Sequence, residues 1–141
     1  MESLKGEVRC DNLVSPVVVG AGTVNTNTGM YRSMAKYRKG LVIVTAHLTN
    51  TKTCVAQLIC SSAAAVAGKA NVTGKTVTLT GTTAVPEQVG VIEFDVNDLI
   101  AIGDAKHFVG VDLTGNQAGD LGAAVLIRGS ARYYDESSMP A

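Results

Sequence analysis

The sequence has few of the residue types on which common functional sites depend. Tryptophan is absent, aromatic residues make up 4% of the chain, and there are two histidines and three cysteines. An immunoglobulin-type core, built on a buried tryptophan beside a disulfide, is therefore disfavoured. His47 and His107 fall in different predicted segments, and neither has a partner at the spacing of metal ligands. We therefore expect no metal and no cofactor.

The sequence also lacks an excess of one charge and any long apolar run. Its 12 Lys and Arg residues balance 12 Asp and Glu residues, so no long-range positive field attracts phosphate backbones or anionic lipid headgroups. No charge-free apolar run reaches about 18 residues, and residues 1–15 contain no apolar stretch of the signal-peptide kind. We expect neither nucleic acid nor membrane as a partner.

The three cysteines do not predict a disulfide framework. Cys54 and Cys60 share one predicted strand, where six residues at roughly 3.3 Å each place them about 20 Å apart. That separation is beyond disulfide reach. Free thiols favour a reducing compartment, and small buried hydrophobes are the simplest role for them.

No motif in the chain predicts catalysis. Glu93, Asp95, Asp98 and Asp104 suggest a glycosidase pair or a calcium loop, but same-face carboxylates on a strand are usually solvated, and the calcium-loop pattern is not matched. Gly20-Ala-Gly-Thr lacks the third glycine, the helix and the lysine of a phosphate loop. No nucleophile-and-base pattern appears. We expect no catalytic residues, and a protein that is not an enzyme.

Strand periodicity is the clearest positive signal. From Val89 to Asn97, apolar residues alternate with acidic and amide residues, which predicts a half-buried strand. The segments from Lys75 to Thr80 and from Phe108 to Leu113 repeat that alternation between turn residues. These three segments predict strands with one face on a core.

Other segments are apolar on both faces. Gly40 to Leu48 and Thr53 to Ser61 are of this kind, which indicates strands in the middle of a sheet or covered by another subunit. A last strand is predicted from about Gly122 to Tyr134, with its first half apolar on both sides. Residues 15–26 predict one or two short strands split by glycines. The total is about seven to nine strands.

Helix signals are few. Tyr31 to Lys39 predicts at most a turn or two, residues 63–70 predict a loop, and one helical turn is expected after the strand at Val89, with Asn97 or Asp98 as its cap and Gly103 as its end. Short strands without βα alternation predict an all-β fold, an antiparallel β-sandwich of jelly-roll-like type.

The 141 residues fit a single domain with extended arms. We expect an N-terminal arm over residues 1–14, the sandwich domain over 15–134 and a C-terminal tail over 135–141. Such arms either fray in water or lie across a neighbouring subunit. A cluster of tyrosines and basic residues near position 35 is enriched in residue types common in interfaces, although its tyrosines have the alternative of packing on the domain's own open end. The candidate interface residues are Leu4, Val8, Tyr31, Arg32, Tyr37, Arg38, Tyr133 and Tyr134.

Several short segments, in order, resemble a known family. Gly22-Thr-Val-Asn-Thr-Asn-Thr-Gly precedes Met34-Ala-Lys-Tyr-Arg-Lys and Leu41-Val-Ile-Val-Thr-Ala, and the chain continues through Glu93-Phe-Asp-Val-Asn-Asp-Leu to Arg128-Gly-Ser-Ala-Arg-Tyr-Tyr. Over roughly residues 20–134 this order resembles the small capsid-associated, decoration or cement-type structural proteins of tailed bacteriophages. No catalytic signature is part of the likeness.

The resemblance implies a virion protein on the capsid surface, assembled in the host cytoplasm. In that role, homotrimers of a jelly-roll-like domain bind the major capsid protein from outside and bridge neighbouring copies in the lattice. The sequence leaves two alternatives open: a phage neck or tail structural protein, and a carbohydrate- or receptor-binding sandwich module. The second usually offers exposed aromatic platforms, and tryptophan is absent.

Overall fold

A computed structural model describes residues 8–26, 30–63, 68–103 and 106–131. Three of the candidate interface residues, Leu4, Tyr133 and Tyr134, and the tail over 135–141 lie outside these ranges. Within them the chain forms nine strands and one short helix. The elements are β1 (Arg9–Val18), β2 (Thr23–Asn25), β3 (Arg32–Ser33), β4 (Tyr37–His47), β5 (Thr53–Ser61), β6 (Ala70–Thr80), β7 (Glu87–Asp95), α1 (Val96–Ile100), β8 (Phe108–Gly115) and β9 (Leu121–Ala131).

The strands form two antiparallel sheets with nested pairing. One sheet has the order β1-β9-β4-β7, and the other has β2-β8-β5-β6, with β3 pairing further along β8. The first and last strands of the chain, β1 and β9, pair with each other. Moving inward along the sequence, the pairs alternate between the two sheets: β2 and β3 with β8, β4 with β7, and β5 with β6. This winding is the jelly-roll arrangement. The all-β antiparallel sandwich of about seven to nine strands is confirmed.

The core lies between the sheets and is built by alternation along each strand. In β4, Val42, Val44 and Ala46 point inward, and in β8 Val109, Val111 and Leu113 do the same; all of these side chains are buried. The predicted two-faced apolar strands are β4 and β5, and each sits in the interior of its sheet, as the first of the two explanations requires.

The position of the helix cap differs from the prediction. α1 begins at Val96, and Asp95 is its N-cap instead of Asn97 or Asp98. The Asp95 carboxylate accepts from the Asn97 amide at 2.9 Å, and the Asp98 carboxylate accepts from the Asp95 amide at 2.8 Å. This reciprocal capping box ends β7 two residues earlier than the alternation predicted. Among the described residues, no helix has the length and apolar character needed to span a bilayer.

Three other boundaries also differ. Residues 31–39 contain no helix; β3 and the start of β4 are joined there by one turn, in which the Tyr37 amide donates to the Met34 carbonyl at 3.1 Å. β6 begins at Ala70, five residues before the predicted start, because Gly74 at φ +76° produces a bulge that interrupts the alternation. β1 starts at Arg9, so the predicted boundary between arm and domain at residue 14 falls inside a strand that pairs with β9.

Candidate interaction surface

The outward surface of the β1-β9-β4-β7 sheet is apolar. Cross-strand register places Val125 of β9 beside Ile43 of β4, and Ile43 beside Val91 of β7, in one row across the sheet. The neighbouring rows hold Ile127 with Leu41, and Ala123 with Thr45 and Val89. We call this surface the apolar face and define it by Leu41, Ile43, Val89, Val91, Val125 and Ile127.

These residues are open to solvent to an unusual degree for branched aliphatics. Val89 is 65% exposed and Val91 is 48% exposed, while Leu41, Ile43, Val125 and Ile127 are half-buried. At the end of the face, Val18 of β1 pairs with Leu121 of β9, and both are exposed. A contiguous apolar patch of this kind on a sheet marks an interaction site.

The ends of the apolar face carry charges of both signs. At one end His47 and Glu87 face each other across β4 and β7, with Nδ1 and Oε1 3.7 Å apart. At the other end Lys39 and Glu93 are exposed. A shallow, largely apolar depression lies beside His47, between Thr45, Val89 and Leu121. The face therefore has an apolar centre and a mixed polar rim, which is the anatomy of a protein interface.

The outward surface of the other sheet is polar. The Thr23 and Thr114 hydroxyls are hydrogen-bonded at 2.9 Å, and Lys69 forms an ion pair with Asp112 at 3.2 Å. We call this surface the threonine face and define it by Thr23, Val55, Gln57, Thr76, Thr78 and Thr114, which register aligns across β2, β8, β5 and β6.

A buried arginine binds strands together at one end of the sandwich. Arg128 of β9 donates to the Asp11 carboxylate at 2.5 Å and to the Ser33 carbonyl at 2.7 Å, and its guanidinium lies 4.9 Å from the centroid of the Tyr37 ring. Arg32 approaches the same carboxylate at 3.9 Å. We call Arg128, Asp11, Ser33, Tyr37 and Arg32 the arginine clasp. Together they join β1, β9, β3 and β4. Charge pairing and the hydrogen bonds of its two terminal nitrogens offset the burial of this arginine, whose Nε has no hydrogen-bond partner among the described residues.

The structure separates the candidate interface residues that it describes. Tyr31 is 2% exposed, and its ring packs on Gly110, where a Cβ atom would approach to 2.4 Å. The alternative interpretation, in which this segment packs its tyrosines on the domain itself, therefore describes Tyr31. Arg32 and Tyr37 are partly buried beside the arginine clasp, whereas Val8 and Arg38 are exposed.

Val8 and Arg38 lie at the same end of the sandwich. Arg9 pairs with Arg128, and Tyr37 pairs with Ala131, so the first and last described strands and the start of β4 meet there. We call this region the clasp end. Of the residues selected from the sequence, Val8, Arg32, Tyr37 and Arg38 are brought together there, whereas Tyr31 packs over β8.

The central residues of the apolar face were missed as individual candidates. The signal was present in two places: β4 is apolar on both sides, and β7 continues its outward row from Glu93 back to Val91 and Val89. Valines at the solvent-facing positions of a strand are buried only if another layer of protein covers that face of the sheet. A partner can provide that layer.

The titratable groups do not form a reactive constellation in the part of the chain described. Cys54 and Cys60 are fully buried, and burial raises the pKa of each thiol, so both stay protonated and unreactive. Cys10 is exposed on the apolar-face side of β1, opposite Ile127. Across residues 8–26, 30–63, 68–103 and 106–131, no three His, Cys, Asp or Glu side chains are grouped to hold a metal ion.

Comparison with known proteins gives structural matches alone. No protein-family model matches the sequence, and no curated protein matches it. An SPBc2 prophage-derived protein, YomS, matches at 10% identity with a TM-score of 0.47, over 88% of this chain and 94% of that one. A carbohydrate-binding module of Cellvibrio mixtus lichenase 5A, solved with cellotriose, matches at 8% identity with a TM-score of 0.49, over 92% of this chain and 90% of that one.

A viral particle protein also matches. A chain of infectious bursal disease virus, Gx strain, is 9% identical with a TM-score of 0.49, over 94% of this chain and 34% of that chain. The matches thus include proteins of prophage and viral origin beside a carbohydrate-binding module.

Proposed function

We propose that this chain is a virion structural protein of a tailed bacteriophage, a head decoration or cement protein that binds the outside of the capsid lattice. The single observation that carries an assembly role is the apolar face, a sheet surface whose central side chains are aliphatic and exposed or half-buried. A protein that keeps such a surface needs a protein partner to cover it. The sequence resemblance to capsid-associated phage proteins indicates that the assembly is a phage capsid.

Two surfaces have separate roles in this proposal. The apolar face makes contacts between copies of the chain. The clasp end, with Val8 and Arg38 exposed, contacts the major capsid protein and stabilises the junction between neighbouring capsid subunits. Arginine is enriched at interfaces because its planar fork binds carboxylates and carbonyls with defined geometry.

Phage particles that lack this protein provide the test. We expect the intact protein in purified virions, bound to heads and separable from tails. Particles made without it should release their DNA at a lower temperature or under milder osmotic shock, and adding back the purified chain should restore resistance. Arg38→Glu should bind the deficient heads more weakly, whereas Lys52→Glu, in the loop that connects β4 to β5 in the other sheet, should bind like the wild type.

Two results would contradict the proposal. If the chain separates with tails, it belongs to the neck or tail. If it is missing from virions and instead binds glycans on an array as a monomer, it is a carbohydrate-binding module. Either result leaves the sandwich intact and removes the decoration role.

A further inference from the structure

We infer that the apolar face binds the same face of a second copy of this chain, so that two sandwiches pair about a two-fold axis. The inference rests on the proposed assembly role and names the partner of its main surface. It departs from the trimer implied by the sequence resemblance. Three features of the described residues carry it: the contrast between the two sheet faces, the charges on the rim and the size of the patch.

The contrast between the faces decides which surface of the second copy is used. In a ring of three, the apolar face of each copy must meet a different surface of the next copy. The other broad sheet surface is the threonine face. There the Thr23 and Thr114 hydroxyls are hydrogen-bonded to each other, and Lys69 forms an ion pair with Asp112. Placing the apolar face on it would bury those polar groups against hydrocarbon. The best match to the apolar face in the described chain is the same face.

The rim allows two identical faces to approach. Lys39 and His47 bring positive or titratable groups to the ends of the face, and Glu87 and Glu93 bring negative ones. The whole chain has a formal net charge of zero, so two copies do not repel one another at long range. Mixed signs around an apolar centre are self-complementary when a two-fold axis exchanges the two copies.

The sheet that carries the apolar face offers a broad surface. Its four strands, about 4.8 Å apart and counted over eight residue steps of roughly 3.3 Å, give a flat footprint of about 500 Å² that includes the polar rim. Side chains that stand away from the sheet raise the accessible area above that footprint. A standard specific interface buries about 800 Å² on each partner. The apolar face and its rim together therefore approach the area that specific association needs.

Sheet geometry also permits the contact. Two apolar sheet surfaces pack about 10 Å apart, as the two sheets of a sandwich do, with their side chains interdigitating. Ile43 and Val125, in the central row, then lie at the middle of the interface, and Val91 lies on β7 at its side. The dimer becomes a four-layer stack in which all four layers are sheets.

A matched pair of double variants tests the inference. Val89 and Val91 face outward on the edge strand β7, and Thr76 and Thr78 face outward on the edge strand β6 of the other sheet. We expect the wild-type chain to sediment as a dimer. Val89→Lys with Val91→Lys should weaken dimerisation on the order of 100-fold or more, because it replaces two apolar contacts with charged groups that must leave water when the faces meet. Thr76→Lys with Thr78→Lys adds the same charge and should leave the dimer intact.

Cys10 gives a second readout of the same contact. Cys54 and Cys60 are fully buried, so a thiol reagent such as dithionitrobenzoate reports Cys10 in the folded chain. We expect its reaction to be slow at concentrations where the dimer forms and to accelerate on dilution. In the Val89→Lys, Val91→Lys chain the reaction should be fast at every concentration. Circular dichroism and a cooperative melt confirm that this variant is folded.

Other occupants of the face give different results, and each would overturn the inference. A trimer that survives Val89→Lys with Val91→Lys would place the contact elsewhere. A monomer whose Cys10 is protected at all dilutions would mean that the chain covers its own face. A monomer whose binding to deficient phage heads is lost in the lysine variant would assign the face to the capsid protein. By contrast, a dimer that binds no heads retains the two-fold contact and removes the decoration role.

Discussion

The two outer surfaces of the sandwich differ in how their side chains can be stabilised. On the threonine face, polar side chains find partners within the chain: Thr23 with Thr114, and Lys69 with Asp112. On the apolar face, the central side chains have no polar groups, and their free energy falls only when another surface removes them from water. The comparison shows that exposure alone does not identify a partner surface. The exposed side chains must also lack partners within their own chain.

The faces also differ in what the chain places over them. At one end of the threonine-face sheet, Tyr31 lies across β8 and fills the space above Gly110. The Tyr31 ring makes that part of the outer surface a small second core. The apolar face has no comparable aromatic cover in the part of the chain described. Substitutions beneath the cover and on the uncovered face should therefore differ in their effect on stability.

The largest expected effect on folding comes from removing the cover. Tyr31→Ala should lower the free energy of unfolding by about 3 kcal/mol, because a fully buried aromatic ring leaves a cavity over Gly110. Ile43→Ala, on the apolar face, should cost about 1 kcal/mol or less in the monomer, because Ile43 is half-exposed there. Urea unfolding at low protein concentration measures both.

Tyr31→Phe is the control for this comparison. The Tyr31 hydroxyl is buried and has no hydrogen-bond partner among the described residues, so its removal should cost little and leave the packing of the ring intact. If Ile43→Ala destabilises the monomer as much as Tyr31→Ala, the apolar face is already covered within the chain, and the contrast between the faces is lost.

A smaller effect is expected where a side chain repairs the threonine-face sheet. Gln57 donates its amide to the carbonyls of Val72 at 2.9 Å and Lys75 at 3.2 Å, across the bulge at Gly74. Gln57→Leu keeps the size of the side chain and leaves those carbonyls unpaired. The free energy of unfolding should fall by about 1–2 kcal/mol.

The matched control is Thr76→Val. Thr76 pairs with Gln57 across the strands and is exposed on the same face. A β-branched replacement keeps the strand preference, and its effect should be within about 0.5 kcal/mol. Equal losses for the two variants in chemical denaturation would show that the Gln57 hydrogen bonds have no special role.

Most of the fold could be predicted because its strands obey period-two alternation. Residues such as Ile92 and Phe94 point inward in β7, as the pattern from Val89 to Asn97 predicted, and two-faced apolar strands occupy the sheet interiors. The boundaries that were missed depend on local chemistry that overrides periodicity. Asp95 ends β7 by capping α1, and Gly74 shifts the register of β6 with a positive φ angle.

The interaction surface was predicted less well for a physical reason. Selection by residue type favoured tyrosines and arginines, and it chose Tyr31, which packs inside the domain. The arginine clasp joins Asp11 and Arg128, which are 117 residues apart, and one sequence carries no signal for such a pair. The apolar face, in contrast, can be identified once the strand register is known, because it consists of the outward-facing rows of several strands placed side by side.

The smallest predicted effect is a loss of stability in mild alkali that arises in the core and not on either face. Burial raises the pKa of the Cys54 and Cys60 thiols above their ordinary value of 9.0. In the unfolded chain these thiols ionise near that value, whereas in the folded chain they stay protonated. Their contribution to stability is therefore complete well below pH 9, begins to fall as the pH approaches 9.0, and is lost as the pH rises through the raised value.

Between pH 8 and pH 9 the loss should be well under about 1 kcal/mol per thiol, because only the unfolded state begins to release protons there. Melting curves across that range should therefore have a shallower pH slope for Cys54→Ala with Cys60→Ala than for the wild type. Equal slopes for the two chains would show that the buried thiols do not cause the loss of stability in mild alkali.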